Sequence, residues 1–321
     1  MPKMIAGRLT RLVLTLLVVS FVTFVGVNVL PGDAINALIP IDAQQDREFV
    51  EQVREEWGLN DPMIVRYGRW LGDAVQGDMG TAPSRGDVEV APLVWDRFKN
   101  SARLAVPAFI LIASLAVVLG VYSAVNQYKP SDYIITGFSF FGLSMPTFVF
   151  GLLLQVIFVV YWLQWFDLKP FNVSQMLTGS FGDIIASHTL PVVTLMLVLL
   201  AGESRFQRAA MLEVLNSDYI RTARAKGLPR RTVIFKHAMR NAMIPLVTIW
   251  AIDFAALLGG SVVTESIFAW PGLGRLLIDS IFAADLNLTT GIIVLIATLV
   301  VVFNLIADLI YGVLDPRIRY E

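Results

Sequence analysis

The chain contains no cysteine and only two histidines in 321 residues. The missing cysteines exclude a disulfide framework and any Cys-based metal or redox centre. His188 and His237 stand about 50 residues apart near the ends of apolar runs, and both are read as interfacial or packed side chains, not metal ligands. Charge is also scarce: 16% of residues are charged against 56% hydrophobic, and mean hydropathy is +0.66. Soluble domains average roughly 25% charged residues. No Gly-Lys dipeptide occurs anywhere, which rules out a phosphate-cradling loop of the G-x-x-x-x-G-K-[ST] type. No H-E-x-x-H or G-x-S-x-G motif is present either. The chain is therefore not expected to be an enzyme, to bind a cofactor or metal of its own, or to recognise nucleic acid.

What it does have is long apolar runs. A bilayer crossing needs about 20 such residues, and six stretches supply them. They run from about Leu9 to Leu30, Leu104 to Val125, within Tyr133 to Leu163, His188 to Ala210, Ala242 to Glu265, and Leu288 to Tyr311. The fold class expected is an all-α polytopic membrane protein with six transmembrane helices. Residues 1–30 are read as the N-terminal tail and first helix, 31–102 as an external helical subdomain, and 103–321 as a five-helix core. Helical patterning within 31–102 is clearest at Phe49–Trp57 and Val65–Val75. The first apolar run is too long for a signal-peptide h-region and meets Leu30-Pro31-Gly32-Asp33 without a small-x-small cleavage site, so it is read as a retained helix.

Orientation follows from the distribution of Lys and Arg. One face would carry fifteen of them: Lys3, Arg8 and Arg11, Lys129, nine between Glu203 and Met243, and Arg317 with Arg319. The opposite face has only Lys169 and Arg275 in its short loops. Its long 31–102 segment is acidic, with thirteen Asp/Glu against seven Lys/Arg. Both termini and the basic loop are accordingly expected in the cytoplasm, and the acidic segment outside.

Two features inside the spans stand out. Residues 133–163 would measure about 46 Å as one helix, against a hydrocarbon core of roughly 30 Å. Pro146 lies within this stretch, and Gly137, Gly142 and Gly151 form a stripe of small residues. A kinked, closely packed helix is expected, serving either packing alone or the lining of a pathway. Intramembrane ionisable groups are few. Glu203 and Asp308 are placed towards cytoplasmic span ends, Asp253 near the middle of span five and Glu265 at its external end. A carboxylate at the helix centre costs about 2.5–3.5 kcal/mol to insert, so Asp253 should face protein or water. It could line a pathway or join a structural hydrogen bond or buried pair. Asn304 and Asp308, four residues apart, share one face of span six. Pro146, Asp253, Ser261, Glu265, Asn304 and Asp308 are the translocation-path candidates. External to span five, Phe268-Ala269-Trp270-Pro271-Gly272-Leu273-Gly274-Arg275 reads as a tight turn at the membrane interface. It is either an interfacial anchor or, through Trp270, Pro271, Gly272 and Arg275, an outer gate or binding-protein contact.

The loop at about 211–243 is the most informative segment. Nine Lys/Arg face three Asp/Glu between Glu203 and Met243. Asn216, Ser217 or Asp218 can N-cap a helix, Gly227 can close it left-handed, and Pro229 suits the start of a second helix. At about nine residues the first helix is too short to stand alone and must be held by packing. Tyr219, Ile220 and Ala223 are expected on its apolar side, with Arg221, Arg224 and Lys226 around the rest. Such a helix fits a groove on another protein.

At this point the residues resemble a known family. Asp218-Tyr219-Ile220-Arg221-Thr222-Ala223-Arg224-Ala225-Lys226-Gly227-Leu228-Pro229, followed by His237 through Pro245, is similar to the cytoplasmic signature loop of ABC-importer permeases. The closest likeness is to B-type subunits of the dipeptide/oligopeptide/nickel class. Leu30-Pro31-Gly32-Asp33, Trp57-Gly58-Leu59 with Gly77-Asp78-Met79-Gly80, Glu265 through Arg275, and Leu314-Asp315-Pro316-Arg317 extend it over nearly the whole chain. Where the general loop opens Glu-Ala-Ala, this chain has Arg221-Thr222-Ala223, as the peptide class does. The resemblance implies a type I importer permease in a bacterial inner membrane, the channel-forming half of an ATP-driven importer of di- or oligopeptides. It further implies a second homologous permease subunit, two ATP-binding cassette subunits that bind ATP and Mg, and an external solute-binding protein. Residues 218–229 would dock the ATPase. Nickel, glutathione or sugars are alternative cargoes. An ion-coupled secondary transporter is a remoter alternative, needing midplane carboxylates or an inverted repeat.

Overall fold

The computed structural model describes residues 2–29, 46–56, 58, 60–167, 171, 176 and 179–314. The motifs at Leu30–Asp33 and Asp315–Arg317 fall outside the described residues, as do Trp57, Leu59 and the side chain of Asp308. Six helical segments are long and apolar enough to cross a membrane. The first is α1 (Pro2–Val29), followed by two short helices, α2 (Arg47–Glu56) and α3 (Met63–Val75). A two-residue hairpin, β1 (Thr81–Ala82) with β2 (Val88–Glu89), pairs antiparallel. Then come α4 (Val90–Val125), α5 (Pro130–Ser144), α6 (Thr147–Phe166) and α7 (Phe181–Leu215). After the short α8 (Asp218–Ala225) and a helical stretch α9 (residues 230–242), the chain forms α10 (Ile244–Leu258) and α11 (Val262–Ile267). It ends with α12 (Leu273–Phe282) and α13 (Leu286–Leu314).

The longest seam is α4 against α7, with α10 packed on α13 and α4, and α1 along α13. Its core is Leu104, Ala105, Ala108 and Ile112 of α4 with Val192 and Leu195 of α7, closed by Leu257, Leu258 and Trp270. Helix α4 is 36 residues long, about 54 Å, and runs unbroken through residues 102 and 103. The expected boundary between an external subdomain and a membrane core thus falls inside one helix. Its N-terminal turns are buried by α12 and α13, through Val90 and Val94 against Leu273, Leu276, Leu288 and Ile292.

Two spans break, one of them where the sequence places a kink and the other without such a signal. Met145 is extended (ψ 122°) and Pro146 caps α6, so residues 130–166 form two helices, not one kinked rod. Proline lacks the N–H the helix needs and pushes the preceding residue out of the α region. Gly142 meets the Ala201 side chain and the Leu197 backbone of α7, whereas Gly137 has open space, so the expected stripe is only partly used for close approach. Within α6 a π-helical stretch, Val156–Tyr161, adds a second irregularity. Span five is interrupted likewise: α10 stops at Leu258, and Gly260 takes φ +97°, where L side chains are strained.

Outside the core, α3 is anchored on α1. Tyr67 meets Phe21 and Phe24 edge-on and Trp70 tilts against Phe24, Tyr67 Oη lies 2.9 Å from Ser20 Oγ, and Arg66 Nη2 donates to Asn28 Oδ1 at 2.5 Å. The hairpin loop is tied to the start of α13, where Asp285 Oδ2 accepts from Ser84 Oγ at 2.6 Å and from Ser84 N at 3.2 Å.

Candidate functional site: a basic loop helix and buried intramembrane carboxyls

Helix α8 occupies eight residues directly after α7, separated from it by Asn216 and Ser217. Ser217 stands at the N-cap, yet its Oγ turns back to donate to the Val214 carbonyl at 2.6 Å and makes no capping bond. The far end stops as expected: Gly227 adopts φ +75°, and the Leu228 N–H reaches back to the Ala223 carbonyl at 3.4 Å.

The apolar side of α8 is consumed within the chain. Ile220 is fully buried and Ala223 nearly so, against Val121, Ala124, Met211, Val233, Ala238 and Ala242. Burying an isoleucine contributes about 1.5–3 kcal/mol. This edge supplies the packing the short helix needs: it seats the helix on the ends of α4, α7 and α9. Tyr219 was expected on that edge too but is 44% exposed, its hydroxyl accepting from Asn241 Nδ2 at 2.7 Å. Arg221, Thr222, Arg224, Ala225, Lys226, Gly227, Leu228 and Pro229 are all exposed. The outward surface is basic, with Tyr219 and Leu228 as its apolar points. Asp218 meets Arg221 at 3.4 Å on the open surface, a pair worth about 0–1 kcal/mol.

Immediately beneath lies an ion pair that no sequence motif announces. Arg208 of α7 grips Asp132 at the start of α5 with Nε to Oδ1 at 2.8 Å and Nη2 to Oδ2 at 2.9 Å. Ser123 of α4 donates to the same carboxylate, and the Tyr128 N–H adds a bond of 2.9 Å. These donors, Arg208 first, hold the Asp132 carboxyl well below the usual carboxylate range.

The path candidates separate into distinct places. Glu203 of α7 meets α10 at Trp250, one turn before Asp253 on the same helix, which brings the two carboxyl groups to the same level. Glu203 is 3% exposed, and its Oε2 accepts from Trp250 Nε1 at 2.7 Å, whereas its Oε1 has no donor. Asp253 is half-buried. The two were expected at different depths. Helix α7 continues past residue 210 to Leu215, which leaves Glu203 about 18 Å from its end and level with Asp253.

Glu265 belongs to a separate network. It is 2% exposed; Oε1 accepts from Ser101 Oγ at 2.7 Å and Oε2 from the Arg275 N–H at 3.0 Å. The Leu273 N–H donates to Ser101 Oγ at 2.8 Å, Trp270 Nε1 to the Asn100 carbonyl at 2.9 Å, and Asn100 Nδ2 to the Pro271 carbonyl at 3.0 Å. The Trp-Pro-Gly turn is thus stitched to α4. Trp270, expected at the membrane interface, is 1% exposed and packs edge-on to His188 at 4.7 Å. A Cβ on Gly272 would sit 2.4 Å from the Glu265 carboxyl, which explains the glycine. Pro271 and Arg275 remain half-buried. Ser261 caps the break before α11 and donates to Thr264 Oγ1 at 3.1 Å. Pro146 and Asn304 are exposed, apart from both carboxyl groups' networks.

Comparison with known proteins places this architecture. A model of the binding-protein-dependent transport system inner membrane component matches residues 116–320, and a model of the N-terminal part of such membrane components matches residues 1–110. The oligopeptide transport system permease protein AppB of Bacillus subtilis (strain 168) is 43% identical over 95% of both chains. The dipeptide transport system permease protein DppB of Escherichia coli (strain K12) is 35% identical over the full length of both. The glutathione transport system permease protein GsiC of Escherichia coli O6:H1 is also 35% identical over both full lengths. Among solved structures, an inward-facing form of the MetNI methionine ABC transporter aligns with TM-score 0.54 and 16% identity, covering 70% of this chain and 96% of that one. That match concerns the fold alone. The chain belongs to the family of binding-protein-dependent transport system inner membrane components.

Proposed function

We propose that this chain is one half of the transmembrane pathway of an ATP-driven importer of di- and oligopeptides in a bacterial inner membrane. A second homologous permease subunit completes the pathway, and two ATP-binding cassette subunits bind ATP and Mg and drive it. An external solute-binding protein delivers cargo to the outer mouth. Both termini and α8 face the cytoplasm, where the ATPase docks; residues 31–102 lie outside. Peptide cargo is favoured by relatives named for oligopeptide, dipeptide and glutathione transport.

One observation carries the coupling role: α8 is clamped to the membrane helices by Ile220 and Ala223 while it offers Tyr219, Arg221, Arg224, Lys226 and Leu228 outward. A push on that surface is passed to α4, α7 and α9 through packed side chains and not through a flexible loop. The test is charge reversal, Arg221→Glu with Arg224→Glu, in the complete importer. ATP-dependent peptide uptake should fall at least tenfold, and the ATPase should dissociate from the purified complex at lower salt. Normal insertion with undiminished ATP-dependent uptake would overturn the coupling role.

A further inference from the structure

A cavity of about 300 Å³ lies between α1, α3, the hairpin and the first turns of α13. Arg66, Trp70 and Asp73 line it from α3, where their i, i+4, i+7 spacing puts them on one face. Asn28, Asp87 and Asn287 line its other walls. Charge is left over here in both signs. Arg66 is half-buried; it donates to Asn28 Oδ1 at 2.5 Å and pairs with no carboxylate among the described residues, since Asp61 is taken by Arg69 at 2.7 Å. A guanidinium has five N–H donors, so Arg66 has donors to spare. Trp70 Nε1 is buried and has no acceptor. Leaving such a donor unmatched costs about 1–3 kcal/mol. Asp73 and Asp87, for their part, meet no cation among the described residues.

The cavity stands at a membrane boundary. Asn28 is in the last turn of α1 and Asn287 in the first turn of α13, and both helices are long and apolar enough to span. Helix α3 lies against the side of α1: Arg66 meets Asn28, while Tyr67 reaches Ser20, about 12 Å further down the α1 axis. Trp, Tyr and Arg at this level are the side chains that bridge apolar and wet surroundings at a bilayer surface. Leu17, Phe21, Phe24 and Asn28 share one face of α1. Leu17 and Phe21 remain exposed and offer apolar surface to an acyl chain just below the cavity.

We propose that this cavity holds the headgroup of a phospholipid that carries a primary ammonium, with the phosphodiester on Arg66 and Trp70 Nε1 and the ammonium on Asp73 and Asp87. Arginine and an indole N–H are donors only, and hydrogen bonds from a guanidinium to a phosphate are among the strong ones. Asn28 acts as a positioning residue, holding the guanidinium by one N–H. The order of charges along α3 matches a zwitterion laid along the helix, since Asp73 follows Trp70 by about 4.5 Å of axial rise. A primary ammonium gives three N–H donors to the two carboxylates, whereas a trimethylated headgroup gives none. Bound there, the lipid would fasten α3 and the hairpin to the ends of α1 and α13.

The experiment titrates the complete importer, purified in detergent, with dioleoylphosphatidylethanolamine or dioleoylphosphatidylcholine and counts bound lipids by native mass spectrometry. Wild type is compared with Trp70→Phe, Arg66→Gln and Asp73→Asn in this chain. Trp70→Phe keeps a ring against Phe24 and removes only the donor, so it tests the site without emptying the contact. Wild type should retain one more tightly bound lipid per complex than Trp70→Phe or Arg66→Gln, and should prefer the ethanolamine headgroup to choline at least fivefold. Asp73→Asn should at least halve that preference. Glycerophosphoethanolamine, which lacks acyl chains, should not displace the bound lipid at equal concentration; displacement would assign the cavity to a soluble phosphate ester and overturn the lipid site. Equal lipid counts in wild type and all three variants, or no headgroup preference in wild type, would refute the proposal. Weaker docking of the external binding protein to Trp70→Phe, with an unchanged lipid count, would give the cavity to a protein partner and refute it too.

Discussion

Replacing Asp132 with Asn removes the one charge that ties the C-terminal ends of α4 and α7 to the start of α5. The native carboxylate receives two bonds from Arg208, at 2.8 and 2.9 Å, one from Ser123 and one from the Tyr128 N–H. Its side chain is 4% exposed and that of Arg208 is 25% exposed. Breaking a fully buried pair costs about 3–5 kcal/mol, and hydrogen bonds to charged groups contribute about 1.5–3 kcal/mol. Arg208 can recover some hydration, so the expected loss lies near the overlap, about 3 kcal/mol. For a chain of this size that corresponds to a thermal midpoint lower by roughly 4–5 °C. The pH dependence supplies the sharper check. The folded Asp132 carboxyl titrates below its unfolded value, which is about 3.9. Its contribution is therefore fully present above that value and is lost only as pH falls towards the folded one. Midpoints of wild type and Asp132→Asn, measured in detergent from pH 8 to pH 3.5, should differ by a constant amount down to about pH 5. The gap should then begin to narrow below about pH 4. An equal midpoint at pH 7, or a gap that changes between pH 6 and pH 8, would refute this account of the clamp.

Other substitutions test the remaining contacts. Ile220→Ala empties a fully buried site under α8; by comparison with other large-to-small core changes it should cost about 2–4 kcal/mol. That cost should appear as faster hydrogen exchange in residues 217–229, with uptake reduced although no outward residue has changed. Gly272→Ala forces a Cβ to 2.4 Å from the Glu265 carboxyl and should lower the thermal midpoint, whereas Arg275→Ala, which keeps the backbone donor, should have little effect on it. Trp250→Phe withdraws the only donor to Glu203 among the described residues and should lower the midpoint more than Trp165→Phe, whose side chain is 69% exposed.

Much of this molecule is legible from local pattern. Apolar runs placed six membrane helices because span length is fixed by bilayer thickness, and the Gly227 stop was recoverable because only a residue tolerant of positive φ ends a helix that way. Pro146 was seen, but a kink and a clean break share the same sequence cue. The break follows from Met145 turning extended, which tertiary packing decides. The failures are of one kind. Ser101 and Glu265 are 164 residues apart, and Asp132 and Arg208 are 76 apart; no periodicity connects them. Trp270 beside Pro-Gly carries the same composition whether it faces lipid or the inside of α4 and α7. Tyr219 and Ile220 likewise could not be told apart by hydrophobicity, since the neighbouring ends of α4 and α9 determine which one is covered.

Several long-range contacts meet on α7. It is a single 35-residue helix, about 52 Å long, and it carries Glu203, Gln207, Arg208 and Met211 on successive turns before running into α8. Met211 is the buried floor under Ile220, and Arg208 ties the same turn to α5. The Glu203 turn lies only about 12 Å back along the axis from Met211. A displacement of α8 thus meets no flexible joint before the carboxyl pair, because Asn216 and Ser217 are bridged by backbone bonds to Glu213 and Val214. On the opposite side Asp253 rides on α10, which is broken from α11 at Gly259 and Gly260. One carboxyl of the pair sits on the unbroken rod that leads to α8 and the other on an interrupted helix. Relative movement of α7 and α10 would change the spacing of Glu203 from Trp250 and Asp253.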